Sequence, residues 1–379
     1  MTRRLAALLA GAALAACAHV QAPPGGPEDK EAPRLLTTRP DSLARVGAFT
    51  DPVVLVFDER LSEQNLRDAV QVSPRTSALE VDHRGDELRI RLRRGWEAGR
   101  IYQVSVGPTV QDLFNNRLGA PIQIVFSTGP EIPDTRLSGT VVSRTAGTPE
   151  IAIRVEAIRV QDSLVYTTQT DSSGAFLFRR IPEGPYRVRA FRDLNTDRVL
   201  QDYEARDTAR AAVVAGASPS VALRVLQPDS TAPRIASVQP GDTVLEVRFD
   251  DYLDPAQPLT AAQVAVLLPD GSAVPVVRVE MRPGERAATG PPQPARPDSA
   301  APAAAPAQGP AGPLPSQALT VRLGRPLPPD TDVVVRVRGV RNLQGLTGDA
   351  EGRVKTPRAP AAPPAAAPPP AAPPPGTRP

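Results

Sequence analysis

The sequence contains a single cysteine, Cys17, so no disulfide can form within the chain. Its domains must therefore be stable through core packing alone. Aromatic residues make up only 4% of the 379 residues, which indicates modest hydrophobic cores. The two histidines, His19 and His83, are far apart in the sequence. With so few thiol and imidazole ligands, the composition argues against a zinc site.

A strong charge of one sign is also lacking, because the formal net charge is only +3. Acidic and basic residues alternate, as in Glu87, Arg89 and Arg91, and no basic face with interleaved aromatics is visible. This pattern argues against nucleic-acid binding. Gly-x-Ser-x-Gly, His-Glu-x-x-His and phosphate-binding glycine loops are missing, and His83 lies in a predicted hairpin turn without catalytic partners. We therefore predict that the chain is not an enzyme.

Long apolar runs are absent after the N-terminus, where residues 5–16 form one uncharged run behind Arg3 and Arg4. This run has the length of a signal-peptide core and is too short to cross a bilayer as a helix. The small residues before Cys17 predict cleavage between Ala16 and Cys17, which makes residues 1–16 a signal peptide. The stretch resembles a lipobox, which implies a covalent lipid on Cys17. An ordinary signal peptide with an incidental cysteine is the alternative.

The lipid would be the only membrane anchor, because no later stretch approaches the length of a spanning helix. Residue 18 is alanine. In the lipoproteins that this segment resembles, an aspartate at that position is linked with retention in the inner membrane. The resemblance therefore implies a lipid-anchored protein of the cell envelope, sorted to the outer membrane. Whether it faces the periplasm or the cell surface is left open by the sequence.

Proline, with 46 residues, is what the chain has in abundance. Residues 17–31 are a Pro/Gly-rich segment that predicts a tether. Residues 32–129 and 134–226 each contain several short runs in which apolar and polar residues alternate, separated by Gly, Pro and Asn turns. Such runs predict antiparallel strands buried on one face, so the fold class is all-β, a string of small sandwiches.

Residues 231–357 repeat the first block in the same order. Ala32-Pro33-Arg34 returns as Ala232-Pro233-Arg234, Phe57 to Leu61 as Phe249 to Leu253, and Leu88 to Leu92 as Leu319 to Leu323. Asp112-Leu113 corresponds to Asn342-Leu343. A Pro/Ala-rich stretch, residues 283–316, interrupts this repeat and predicts a disordered insertion, and residues 358–379 predict a disordered Pro/Ala tail.

Four features resemble those of Ig-like-domain lipoproteins of Bacteroidetes-type bacteria: the lipobox, the Pro-x-Gly-Gly-Pro-x-Asp-type leader from Pro23 to Asp29, the Ala-Pro start and the Phe-Asp-Glu step at residues 57–59. Blocks one and three resemble the SbsA-type bacterial Ig-like domain, the third in a degenerate form. The second block resembles a carboxypeptidase-regulatory-like, transthyretin-like domain, on the segments Leu137 to Val141, Thr170 to Phe176 and Pro182 to Val188. The resemblance implies an exported, envelope-anchored string of domains and no particular ligand.

Few residues suggest chemistry. The acidic pairs Asp58-Glu59 and Asp250-Asp251 recur in the repeat, but neighbours on a strand point to opposite faces. We therefore interpret each pair as a charged strand end rather than an acid/base pair. The single tryptophan, Trp96, is either an exposed sugar platform or, as we expect, a core or edge residue.

One loop of block two has the spacing of a calcium site. Asp193, Asn195, Asp197 and Glu204 fall at loop positions one, three, five and twelve. Position six is Arg198 instead of glycine, and no helical pattern flanks the loop, so it is not an EF-hand. The loop is either a weak Ca²⁺ site or a solvated Asx-rich turn.

Two functions remain open at this point. The chain is either a structural or interaction module of the envelope, or a surface lipoprotein that binds a carbohydrate or peptide ligand as part of an outer-membrane complex. An aromatic cluster on one sandwich face would favour the second, and polar faces would favour the first. Expected partners are the membrane, through the lipid, and an envelope protein or glycan. Apart from the lipid and the Ca²⁺ candidate, no cofactor is expected.

Overall fold

The computed structural model describes residues 29–282, Gly284 and residues 314–358. The chain divides into two compact units, residues 1–132 and 133–379. Strands make up nearly all of the regular structure within the described ranges, and the predicted all-β fold is confirmed. No helix in this described part is long and apolar enough to cross a membrane.

The first unit is a two-sheet sandwich. Its elements are β1 (Leu35–Arg39), β2 (Val53–Phe57), α1 (Leu66–Ala69), β3 (Val70–Ser73), β4 (Leu79–Arg84), β5 (Glu87–Leu92), β6 (Ile101–Val106) and β7 (Ile122–Ser127). One sheet has the order β1-β2-β5-β4 and the other β3-β6-β7. On β5 the apolar residues Leu88, Ile90 and Leu92 are buried while their polar neighbours are not, as the alternation predicts.

An aromatic group lies at the centre of the first core. Trp96 is only 7% exposed and packs edge-on against Tyr102, with ring centroids 4.9 Å apart, and against Phe126 at 5.1 Å. Its indole Nε1 donates a hydrogen bond to the Asp51 carbonyl at 3.0 Å, which satisfies the buried N–H. Trp96 is therefore a core residue, as expected, and offers no stacking face to a sugar.

The second sandwich occupies the beginning of the second unit. Its strands are β8 (Arg136–Ser143), β9 (Arg154–Arg159), β10 (Val165–Gln169), β11 (Ala175–Arg179), β12 (Gly184–Phe191), β13 (Arg206–Val213) and β14 (Ser220–Val225). They form the sheets β10-β9-β12-β13 and β11-β8-β14.

Two details of the second sandwich differ from the sequence prediction. Strand β14 pairs with β8 in parallel, from Ser220 opposite Ser138, so the sandwich is not purely antiparallel. The apolar run that begins at Ile151 in the sequence predicts a strand from that residue, but the strand begins at Arg154, because Ala152 has a positive φ of 55° that no strand accommodates.

The third sandwich follows in the same unit. Its strands are β15 (Ile235–Pro240), β16 (Val244–Leu253), β17 (Val264–Leu267), β18 (Ala273–Val274), β19 (Val276–Met281), β20 (Ser316–Leu323), β21 (Asp332–Arg341) and β22 (Thr347–Lys355), with a 3₁₀ turn at Ala261–Gln263. The sheet orders are β15-β16-β20-β19 and β18-β17-β21-β22.

The first and third sandwiches share one topology. The order β15-β16-β20-β19 reproduces β1-β2-β5-β4, and β17-β21-β22 reproduces β3-β6-β7 with β18 added at the edge. The registers also match, since Leu35 faces Phe57 and Ile235 faces Phe249, each followed by the same irregularity. The repeat found in the sequence is therefore a repeat of the whole sandwich.

The interruption in the third sandwich lies between the hairpin strands β19 and β20. Gly284 and Leu314 form an isolated antiparallel bridge, and β20 begins at Ser316, so the end of the interruption lies before residue 316. Most of the predicted insertion, the signal peptide, Cys17 and nearly all of the tether and the tail lie outside the described residues. A chain whose ends meet at a hairpin can be long at little entropic cost.

Gly139 tests how tightly β8 packs against its neighbours β11 and β14 in the same sheet of the second sandwich. A Cβ at this position of β8 would clash with the Val221 carbonyl oxygen and come within 2.5 Å of Phe176 Cζ. We expect Gly139→Ala to destabilise this sandwich by about 2 kcal/mol. Hydrogen–deuterium exchange of peptides from residues 134–226 measures the effect.

Gly119→Ala is the matched control, because Gly119 has open space around its Cα and no positive φ. Exchange in residues 134–226 that stays at the wild-type level in Gly139→Ala would contradict the close packing described here.

Candidate functional site

A carboxylate cluster lies at one end of the first sandwich. One carboxylate oxygen from each of Asp29, Glu59 and Asp112 falls within 4.8 Å of the others, and Asp112 is buried. Asp112 Oδ1 accepts hydrogen bonds from the backbone N–H groups of Phe114 and Asn116, both at 2.8 Å. Asn116 Nδ2 donates to Asp112 Oδ2 at 2.8 Å and to the Asp29 carbonyl at 3.1 Å. The cluster thus attaches the start of the domain to the turn after β6.

The third sandwich carries the corresponding group with one charge fewer. Asn342 stands where Asp112 does, and its Oδ1 accepts from the backbone N–H groups of Gln344 at 3.1 Å and Leu346 at 2.9 Å. Its Nδ2 donates to the Thr231 carbonyl at 3.1 Å, as Asn116 does to Asp29. The isolated bridge between Leu61 and Asp112 likewise returns between Leu253 and Asn342. The arrangement is part of the repeated scaffold.

The acidic pairs flagged in the sequence divide between two tasks. Asp58 Oδ1 accepts the backbone N–H of Arg34 at 2.7 Å, and Asp250 Oδ1 accepts that of Arg234 at 2.7 Å. Their neighbours have other contacts. Glu59 lies in the carboxylate cluster of the first sandwich, and Asp251 lies beside Asn342 and Asp229 in the third. Within each pair, the first acid therefore bonds to the start of its domain.

Electrostatics distinguishes the acids of the clusters. Burial raises the pKa of Glu59, and Asp112, Asp29 and Asp58 raise it further by repulsion. Burial likewise raises the pKa of Asp251, whereas the backbone N–H of Thr231 holds the pKa of Asp229 below its usual value. Such groups can share a proton or bind a hard cation through their oxygens.

The sequence prediction missed Asp29, which was assigned to the tether. The signal was present in the repeat, because Asp29 and Asp229 each stand three residues before the recurring Ala-Pro-Arg. Asp112 had been matched with Asn342, but nothing in the sequence placed either residue beside Glu59 or Asp251. Cys17 and Ala16, the predicted lipidation and cleavage residues, lie outside the described part of the chain, and the lipid anchor stays a prediction.

The residues of the predicted calcium loop are held by hydrogen bonds of their own loop. Glu204 is fully buried, and its oxygens accept the backbone N–H groups of Leu194 at 2.9 Å and Gln201 at 3.0 Å. Asp193 Oδ2 accepts from the Arg198 N–H at 2.9 Å, and Arg198 adopts a positive φ of 66°. The loop is therefore an Asx-rich turn in which Asp193 Oδ1 is buried without a hydrogen-bond partner.

Further hydrogen bonds close this turn around Asn195 and Asp197. Asn195 Oδ1 accepts the Asp197 N–H, and Asp197 Oδ1 accepts the Val199 N–H at 2.7 Å, which lowers the pKa of Asp197. Ca²⁺ binding here remains a prediction, and it would compete with these bonds.

His83 lies at the end of β4, where its Nε2 contacts the Gly85 carbonyl at 2.7 Å.

Two domain families match this chain. Residues 29–128 match the bacterial Ig-like domain, and residues 136–218 match the carboxypeptidase regulatory-like domain. No curated protein matches the chain. These matches confirm a bacterial Ig-like domain in the first block and a carboxypeptidase regulatory-like domain in the second, while the SbsA type, the lipoprotein character and the bacterial group stay predictions.

Solved structures of low similarity include three bacterial proteins. A fragment of Escherichia coli alpha-2-macroglobulin spanning domains MG0-NIE-MG1 has 16% identity over 64% of this chain and 85% of that one, with a TM-score of 0.20. The major pilin subunit BcpA of Bacillus cereus has 9% identity over 51% and 70%, with a TM-score of 0.18. A DUF3823 family protein of Bacteroides uniformis has 12% identity over 59% and 100%, with a TM-score of 0.17. These scores carry no argument about function.

Because the pKa of Glu59 is raised, we predict that neutralising this side chain increases the stability of the first sandwich in a pH-dependent way. Because the folded state favours protonated Glu59, its contribution is fully present below the usual pKa of 4.5 and is lost as pH rises through the folded value. We expect Glu59→Gln to stabilise the first sandwich at pH 7 by less than about 1 kcal/mol, and not at pH below 4.5. Denaturant unfolding followed by Trp96 fluorescence in chelator measures this, since Trp96 is the only tryptophan.

Glu63→Gln removes the same charge from an exposed position of the first sandwich and serves as the control. A gain that is equal for both variants, or equal at both pH values, would contradict the assigned repulsion.

The loop of residues 193–204 is either a weak Ca²⁺ site that stiffens the second sandwich or an Asx-rich turn alone. On the Ca²⁺ hypothesis, millimolar Ca²⁺ should raise the melting temperature of the full chain relative to chelator, and titration calorimetry should detect binding. Asp197→Asn, which changes loop position five, should abolish both effects, and Asp202→Asn, at a position without a predicted ligand, should not. Indistinguishable melting curves with Ca²⁺ and chelator would leave only the Asx-rich turn.

Proposed function

We propose that the chain is a non-enzymatic, lipid-anchored protein of the bacterial cell envelope. Its β-sandwiches act as a structural or interaction module and present their outer faces and loops to other envelope components. Attachment to the outer membrane would occur through a lipid on Cys17.

The observation that carries this proposal is that a complete sandwich occurs twice along the chain, once before and once after the carboxypeptidase regulatory-like domain in the sequence. Sheet orders, registers and the Asp112 and Asn342 turns all recur. The polar side chains that recur in the two copies have a structural role, since they form hydrogen bonds with the backbone of turns and of domain starts. A duplicated scaffold of this kind supports a role in spacing and contact.

The anchor is supported by the sequence alone. Arg3 and Arg4, the uncharged residues 5–16 and Cys17 occur in the order expected of an exported lipoprotein. Several acyl chains on Cys17 would hold the chain firmly, whereas one holds a protein only marginally.

The alternative function is a surface lipoprotein that binds a carbohydrate or a peptide. Exposed aromatic side chains bear on the carbohydrate ligand only. Among the described residues, the large exposed aromatics are Phe114 at 61% and Tyr203 at 52%, and each lies alone in its own domain. No aromatic platform for a sugar is visible in that part of the chain. A peptide ligand is not subject to this argument.

Replacing the predicted lipidated residue tests the anchor. We expect the wild type to incorporate labelled fatty acid and to fractionate with the outer membrane. Cys17→Ser should remain uncleaved or become soluble, because serine has no thiol to carry the lipid. Ala18→Ser, which keeps Cys17, is the control. A Cys17→Ser variant that labels and fractionates like the wild type would show that the lipoprotein assignment is wrong.

A further inference from the structure

An open groove of about 500 Å³ lies at β9, β12 and β13 of the second sandwich. Its polar lining includes Arg159, Arg187 and Arg210, and its apolar lining includes Ile158, Val160 and Pro185. Because β12 lies between β9 and β13 in the sheet, the three arginines come together only through strand pairing.

Arg187 and Arg210 form a like-charged pair. They are register partners on β12 and β13, and both are exposed. Like charges directly opposite each other in an antiparallel pair are destabilising. Neither guanidinium forms a hydrogen bond or ion pair with any residue in the described ranges.

Elsewhere in the same sheet, Arg189 and Arg154 are paired with one buried carboxylate. Two positions further along β12, Arg189 Nη2 lies 2.6 Å from Oε2 of the buried Glu156. Arg154 Nε lies 2.9 Å from Oε1 of the same carboxylate. The absence of any such acid beside Arg187 and Arg210 is therefore a local feature, and it leaves two forked donors for an external carboxylate.

Arg159 adds a third cation at the end of β9. Its Nη1 pairs with Asp162 Oδ2 at 3.1 Å, and its Nη2 donates to the Glu183 carbonyl at 3.0 Å. Its Nε is buried without an acceptor. Asp162 offsets part of this charge, so the excess of positive charge centres on Arg187 and Arg210.

The apolar lining restricts the class of ligand. Val160 is 62% exposed and Pro185 is also exposed, so both present apolar surface to a partner. Tyr186, the aromatic residue of the groove, is only 1% exposed, and its hydroxyl donates to the Pro182 carbonyl at 2.7 Å. The groove therefore offers apolar contacts and guanidinium groups but no stacking face for a sugar ring.

We propose that this groove binds an acidic peptide segment of a partner protein. Carboxylates of the peptide pair with Arg187 and Arg210, and a neighbouring apolar side chain packs against Val160 and Pro185. The assignment rests on the interaction role proposed above and names the chemistry of the partner. It does not depend on the lipid, so the Cys17 fractionation result leaves it unaffected.

Binding of a defined peptide to the purified full chain tests the proposal. The probe is a fluorescein-labelled pentapeptide of alternating glutamate and leucine, followed by fluorescence polarisation. We expect saturable binding that weakens as salt is added, and about tenfold weaker binding for Arg187→Gln and for Arg210→Gln. The same peptide with glutamine in place of glutamate should not bind.

Arg224→Gln is the matched control, because Arg224 is exposed on β14 of the other sheet and carries the same charge. It should bind the peptide like the wild type. Thermal melts confirm that the groove variants fold, and removing one member of the like-charged pair should not lower their stability.

Three results would overturn the proposal. One is equal weakening by Arg224→Gln and Arg187→Gln, which would reduce the effect to overall charge. Another is equal binding of the glutamate and glutamine peptides. The third is Arg187-dependent binding of inorganic phosphate with no peptide binding, which would make the groove a simple anion site.

Discussion

Each sandwich is stabilised by the apolar side chains that alternate along its strands and pack between its two sheets. No disulfide within the chain can add to this packing, because the chain has one cysteine. In the first sandwich Leu88, Ile90 and Trp96 are buried, and in the third Leu319 and Val321 take the same role. Each such side chain contributes about 1.5–3 kcal/mol on burial. Since the inner faces are committed to packing, chemistry is confined to outer faces, loops and domain ends.

The two related sandwiches show which polar features belong to this scaffold. Asp58 and Asp250 bond to the starts of their domains, and Asp112 and Asn342 hold equivalent turns. The copies differ in charge, because an amide stands in the third sandwich where the first has a carboxylate. In the first copy, burial and repulsion from Asp112, Asp29 and Asp58 raise the pKa of Glu59. Duplication has therefore kept the hydrogen bonds and changed the electrostatics.

The second sandwich instead carries an excess of positive charge on one sheet. Buried Glu156 pairs with two arginines, while Arg187 and Arg210 face each other without an acid. A negative cluster in one unit and a positive groove in the other give the chain two surfaces of different chemistry. Asp112 of the cluster is buried, whereas Arg187 and Arg210 of the groove are exposed.

Local patterns in the sequence were enough to predict the strand-rich fold, most central strands and the duplication. Alternation with period two places side chains on opposite faces wherever a strand forms, so the burial of Leu88, Ile90 and Leu92 follows from the sequence. The pairing of Asp29 with Glu59 and Asp112, the parallel β14 and the opposition of Arg187 and Arg210 did not. Only the tertiary structure decided these, because strand order and register bring together residues that no local spacing relates.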